Sequence, residues 1–226
     1  MEINWITSLF TGEVILSVCA AELRNLRWAT TALALQAVFL VAIICTFGYL
    51  SSISNFYWWA SITFISRVLL IPWLLWKYMR KVPVSEVRPR IGLIPSVILM
   101  AFILPAAYQY FRTYLCSYYL EFLPRAYAII GETAAMNLAL GLMILVLGVY
   151  VLLAKRDIIK LMMGLVLMEN GLQWAFVSTA PTVHEAAEIG LACDLVIASW
   201  ILLYFSKAVY EICGTRDSPF ISELKW

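Results

Sequence analysis

The chain has 226 residues, 63% of them apolar and only 13% charged, with a mean hydropathy of +0.87. No soluble core of this size needs so much apolar surface, and the apolar residues fall in long blocks rather than in alternation, which excludes a transmembrane barrel. The class these numbers define is an all-α, polytopic transmembrane helical bundle; the net charge of +2 says little about partners, and nothing points to nucleic acid.

A spanning helix needs about 20 mainly apolar residues. Seven blocks qualify, at about 5–21, 29–50, 56–79, 91–111, 131–154, 158–180 and 186–208. The chain opens "MEINWITSLFTGEVILSV", with no basic leader and no small-residue cleavage site after the apolar run, so a retained first span is expected. Glu13 lies in the middle of it. The third span carries Arg67 and Pro72, and a kink is expected at the proline. Pro95 and Pro105 are expected to kink the fourth span in the same way. The stretch 112–130 is rich in tyrosine and is expected to lie at a membrane interface, where aromatic belts form. Glu132 opens the fifth span, the sixth contains Glu169, Asn170 and Gln173, and the seventh contains Glu188 and Asp194. His184 falls in a short loop, "APTVHEA", and reads as a surface residue with proton uptake or release as the alternative.

The basic residues are segregated. Arg24, Arg27, Lys77, Arg80, Lys81, Arg88, Arg90, Lys155, Arg156, Lys160, Lys207, Arg216 and Lys225, 13 of the 16, fall on one side of a seven-span arrangement. The other side has only Arg112 and Arg125. By the positive-inside rule the N-terminus faces outward and the C-terminus lies in the cytoplasm of a prokaryotic cell. The organisation expected is an N-terminal three-helix unit with a basic loop (1–90), a joining helix and outer loop (91–130), a second three-helix unit (131–208) and a cytoplasmic tail (209–226). The basic loop "RKVPVSEVRPR" reads as a solvated topology anchor, or as a dock for a cytoplasmic partner or anionic lipid.

Five cysteines are scattered, no CxxC pair exists, and there is one histidine. This donor supply gives no reason to expect a metal, an iron–sulfur cluster or any other cofactor in this chain. No nucleophile–base pair or phosphate-binding glycine loop appears either, so an independent enzyme is not expected.

Charged groups inside spans are the informative feature. Each costs about 2.5–3.5 kcal/mol on insertion scales, and such residues usually face the bundle interior and mark ion or proton pathways. A buried carboxyl can escape the cost by taking up a proton, which is the chemistry of a relay. Glu169, Glu188 and Asp194 are therefore the candidate relay residues, with Glu13, Glu132 and His184 behind them. The plain alternative for Glu169 is a neutral carboxyl bonded to a neighbouring helix for packing. Arg67 keeps its charge at any attainable pH, so it is expected to form an ion pair that tunes a carboxylate. Asn170 and Gln173 are expected to support that carboxylate with hydrogen bonds. Glu188 and Asp194, six residues apart, stand about 600° apart around a helix and serve different neighbours. Glu185 reads as a solvated residue near the outer end.

Two internal echoes stand out. Residues 59–76, "WASITFISRVLLIPWLLW", align without gaps on 186–203, "AAEIGLACDLVIASWILL", pairing Ala60 with Ala187, Arg67 with Asp194 and Trp73 with Trp200. "LRNLR" before the second span echoes "KRDIIK" before the sixth. Spans one to three thus read as a diverged copy of spans five to seven.

The stretches "KRDIIKLMMGLVLMENGLQWAFV" and "AAEIGLACDLVIASWIL" resemble the second and third helices of subunit K of bacterial complex I and of the C subunit of multi-subunit sodium/proton antiporters, over roughly residues 131–208. That family carries a membrane glutamate in each helix. Glu188 falls on the third-helix glutamate. With Asn170 matched to the family's asparagine, the second-helix glutamate position holds Val166, and Glu169 keeps a carboxylate three residues on, on the same face. Nearly the whole chain, through "ASITFISRVLLIP", "LMENG" and "EIGLACD", resembles the hydrogenase-4 component E family, membrane subunits of group 4 [NiFe] hydrogenase and formate hydrogenlyase complexes. Members have a basic residue where Arg67 stands. The resemblance implies a non-catalytic membrane-arm subunit beside antiporter-like membrane subunits, a hydrogenase-type membrane anchor and the large and small subunits, with metal centres in other chains and a share in proton or ion translocation. A subunit of a stand-alone cation/proton antiporter, or a purely structural spacer, would share the same residues.

Overall fold

In hydrocarbon a spanning segment must satisfy every backbone N–H and C=O within itself, so each apolar block forms a helix. The computed structural model describes residues 3–80, 92–121, 131–155, 157–179 and 185–213. Seven long helices are described: α1 (Ile3–Glu22), α2 (Leu26–Ser51), α3 (Asn55–Met79), α4 (Leu93–Tyr110), α5 (Gly131–Ala154), α6 (Ile158–Thr179) and α7 (Glu185–Cys213). All but α6 are long and apolar enough to cross a membrane. Along α6, Lys160, Glu169, Asn170 and Gln173 lower the hydropathy, and all but Glu169 are buried. The basic loop 81–91, His184 and the tail from 214 lie outside the described residues.

Local sequence sets the helix ends. The Asn25 side chain accepts a hydrogen bond from the Arg27 N–H at 3.0 Å and caps α2. Asp157 Oδ1 accepts from the N–H groups of Ile159 (2.8 Å) and Lys160 (3.3 Å) and caps α6. The two echoing stretches, "LRNLR" and "KRDIIK", thus each supply a helix start. Ser52, in the left-handed region at φ 57°, closes α2.

One proline expectation needs correction. Pro95 does not sit inside a span: it stands in the first turn of α4, where its missing N–H has no intrahelical partner to lose. Pro72 follows a widened turn. Residues Phe64–Leu70 of α3 wind as a π-helix, and the Ile71 N–H reaches the Ser66 carbonyl five residues back. The fourth span also runs past its expected end at 111. It continues through a π-helical segment (Phe111–Leu115) and a last α-helical one (Cys116–Glu121), because neither glycine nor proline interrupts the chain there before Pro124.

Between helices in lipid there is little hydrophobic drive, so close backbone packing must hold them. The tightest pair is α5 with α6. A Cβ on Gly141 would lie 2.6 Å from the Ala175 nitrogen, and one on Gly171 would lie 2.6 Å from the Gly141 carbonyl oxygen. One turn-pair further along, a Cβ on Gly148 would lie 2.6 Å from Met168 Cα and 2.8 Å from the Gly164 oxygen. Four glycines at two seven-residue spacings therefore bring the two backbones into contact. α6 also packs on α1, α2 and α7, which makes it the hub of the bundle, while α4 and α7 are peripheral. An apolar cavity of about 610 Å³ opens between α1, α4 and α5, lined by Phe10, Val14, Met100, Leu104 and Met143 among others.

Candidate functional site: a charged line across the bundle

Four helices deliver polar side chains to one level near the middle of the bundle. Glu13 (α1), Gln36 (α2), Arg67 (α3) and Asn170 (α6) are all buried. Arg67 lies in the π-helical turns of α3, which bury Ser66 and Arg67 against the bundle. Its Nη1 donates to Asn170 Oδ1. Asn170 Nδ2 donates to Gln36 Oε1 at 2.6 Å, and Gln36 Nε2 donates to Glu13 Oε1. Arg67 Nη2 stands 3.7 Å from Glu169 Oε2. The result is a continuous line, Glu169–Arg67–Asn170–Gln36–Glu13, with a carboxyl at each end and one fixed cation within it.

The ends are incompletely satisfied. Glu13 Oε2 and Glu169 Oε2 accept no hydrogen bond among the described residues. The Glu169 side chain keeps 14% of its surface exposed, and Asp194 on α7 is close enough for the two carboxylates to act on each other electrostatically. Asp194 itself is exposed on the outside of the bundle. Arg67 pairs with Glu169 and is joined through Asn170 and Gln36 to Glu13. In a low-dielectric interior like charges repel strongly, so two carboxylates acting on each other there are costly.

The remaining sequence candidates divide. Gln173 is buried and donates to Thr63 Oγ1 at 2.5 Å, tying α6 to α3. Asn170, expected to hold the Glu169 carboxyl, turns its amide to Arg67 and Gln36 instead, because those two groups flank it in the line. Glu132 is exposed at the start of α5 and lies apart from the line. The side chains of Glu185 and Glu188, and His184 as a whole, are outside the described residues.

Two further polar clusters escaped the sequence reading. At one end of the bundle Lys155 Nζ binds Glu22 Oε1 at 2.8 Å, Ser96 donates to the same oxygen at 2.8 Å, and Ser96 also bonds Tyr150. Beside them the buried Lys160 donates to the carbonyls of Ala20 (2.7 Å) and Ala21 (3.2 Å), the free C-terminal carbonyls of α1. At the other end Trp174 Nε1 donates to Asn137 Oδ1, while Asn137 Nδ2 donates to the Trp174 carbonyl (2.9 Å) and to Ser178 Oγ (2.7 Å). Gln36 was missed for a simple reason: it is neutral. A search for polar as well as charged residues inside spans would have found Gln36 and Asn137 together. Among the described residues no group of three or more His, Cys, Asp or Glu is placed to hold a metal ion.

Fold and site together define a polytopic helical membrane protein with a hydrogen-bonded charged line at mid-depth. Over nearly its full length the chain is similar to hydrogenase-4 component E of Escherichia coli K12, with 26% identity over 214 residues, covering 94% of this chain and 93% of the relative. The proteins of the same name from Escherichia coli O157:H7 and Shigella flexneri match to the same extent. No family model matches the chain, and no solved structure does.

Proposed function

We propose that this chain is a non-catalytic membrane subunit of an energy-converting [NiFe]-hydrogenase complex of the hydrogenase-4 or formate hydrogenlyase type, and that its buried carboxylates take part in moving protons or another ion. The single observation that carries the second part is the line from Glu169 through Arg67, Asn170 and Gln36 to Glu13. The full-length similarity to hydrogenase-4 component E supports the first part.

In this reading the two amides and Arg67 are not themselves proton carriers. Arg67 is a fixed field, and Asn170 and Gln36 hold it in register between two carboxyl stations. A proton arriving at Glu169 releases part of the claim on Arg67, which strengthens the field felt along the line toward Glu13. Charge at one carboxyl is thereby linked to charge at the other. Asp194 is the outlying member of the relay, next to Glu169, and Glu188 a further candidate on the same helix. The catalytic large and small subunits, a membrane anchor and antiporter-like subunits would be the partners, in the cytoplasmic membrane. The end of the bundle with Glu22, Lys155 and Lys160 would face the cytoplasm.

Gentle detergent extraction of native membranes, capture of this chain and mass spectrometry of the associated proteins test the assignment. Hydrogenase large and small subunits together with antiporter-like subunits are the expected company. Antiporter subunits without any hydrogenase-type subunit would overturn it.

A further inference from the structure

We infer that the outward stripe of α7 around Asp194 seats a transmembrane helix of a neighbouring subunit that carries a lysine or arginine at the depth of Asp194. The inference rests on the reading of this chain as one subunit of a membrane complex, but not on any ion-relay role.

The span of α7, Ile189–Glu211, has only 22% of its residues buried inside the bundle. Gly190, Asp194, Ile197 and Ile201 recur at spacings of four, three and four, so they form one stripe along the helix. Asp194, Ile197 and Ile201 are exposed, and Gly190 has nothing within 4 Å of where a Cβ would stand. Apolar exposure alone would say only that lipid or protein covers the stripe. Asp194 decides between them.

Asp194 has no hydrogen bond or ion pair among the described residues, and the charge acting beside it is the Glu169 carboxylate, of the same sign. Arg67, the cation at this level, points its guanidinium at Glu169 and Asn170. A carboxylate turned to acyl chains inside the bilayer is costly. A basic side chain on a facing helix removes that cost and supplies the missing counter-charge. Gly190, four residues away on the same stripe, lets the facing backbone approach closely, as small residues do at helix contacts in membranes. The flanking Trp200 and Phe205, both exposed, border the stripe with large rings.

The test is site-specific photo-cross-linking in the intact complex in its own membranes. Benzoylphenylalanine is placed at Ile197, at Ile201 and, as a control on a different exposed face, at Phe102. Residues 197 and 201 are expected to cross-link to one other membrane subunit, on a helix bearing a lysine or arginine near the attachment point. Replacing Asp194→Lys is expected to lower co-purification of that subunit at least about tenfold, since like charges in contact repel. Exchanging the partner's base for aspartate is expected to restore it. Cross-links to lipid alone, to a second copy of this chain, or to a helix without a basic residue would each overturn the inference. So would undiminished capture of the partner by the Asp194→Lys protein. A partner that cross-links only from Phe102 would remove this surface and leave the subunit assignment standing; no co-purifying partner at all would remove both.

Discussion

Arg67 is the residue on which the site turns. Its guanidinium binds Asn170 and pairs with Glu169 from a position 3% exposed. Removing one member of a buried ion pair strands the other, at a cost of about 3–5 kcal/mol. Arg67→Met is therefore expected to lower the thermal stability of the detergent-solubilised protein by an amount in that range, reduced to the extent that Glu169 takes up a proton. The double variant Arg67→Met/Glu169→Gln is expected to recover more than half of the loss, which a double-mutant cycle by thermal unfolding reads directly. A double-variant loss equal to the sum of the two single-variant losses would show that the pair carries no interaction. A second residue-scale prediction concerns Gln36. Gln36→Leu removes the bond to Glu13 and the acceptor for Asn170, leaving two buried polar groups unmet, and is expected to cost about 2–6 kcal/mol by the same assay, at roughly 1–3 kcal/mol per unmet group.

At the scale of helices, two devices place these residues. One is the glycine contact of α5 with α6, which fixes the hub helix that carries Glu169 and Asn170. A methyl group at Gly148 would press on the Met168 backbone, which cannot move aside cheaply. Gly148→Ala is expected to destabilise by about 1–3 kcal/mol, whereas Gly190→Ala, into open space, is expected to stay within about 0.5 kcal/mol for the isolated subunit. Thermal unfolding of the two variants side by side checks this. The other device is the π-helical stretch Phe64–Leu70. Ahead of Pro72, which has no N–H to offer, the turns widen, and the widening includes Arg67. The sequence made the proline visible but not its consequence. Whether the turns ahead of a proline widen depends on what packs around them. The start of α6 at Ile158 is where the apolar block placed it, but α2 begins at Leu26, three residues ahead of its expected start, because the Asn25 side chain caps a turn that still carries Arg27.

For the whole molecule, class was the most legible property, since long apolar blocks in a chain this poor in charge have few other outcomes. That Arg67 would meet Glu169 was not: the two are far apart in sequence, and many carboxylates were candidates. The hydrogen-bonded line depends on four helices meeting at one level, which only tertiary packing decides. Its reach to Glu13, in the first helix, joins the N-terminal part of the chain to α6 in a single polar unit. The account's central claim is that the carboxyls of this unit act in ion movement and do not serve only as ties between helices. The measurement that tests it most directly uses inverted membrane vesicles containing the assembled complex, energised with hydrogen or formate, with a pH-sensitive dye reporting ion movement alongside the redox rate. For Glu169→Gln and for Glu13→Gln the account predicts an assembled complex whose ion movement per turnover falls at least about tenfold, in keeping with loss of a titratable group from a proton path. Full coupling in both variants would contradict it.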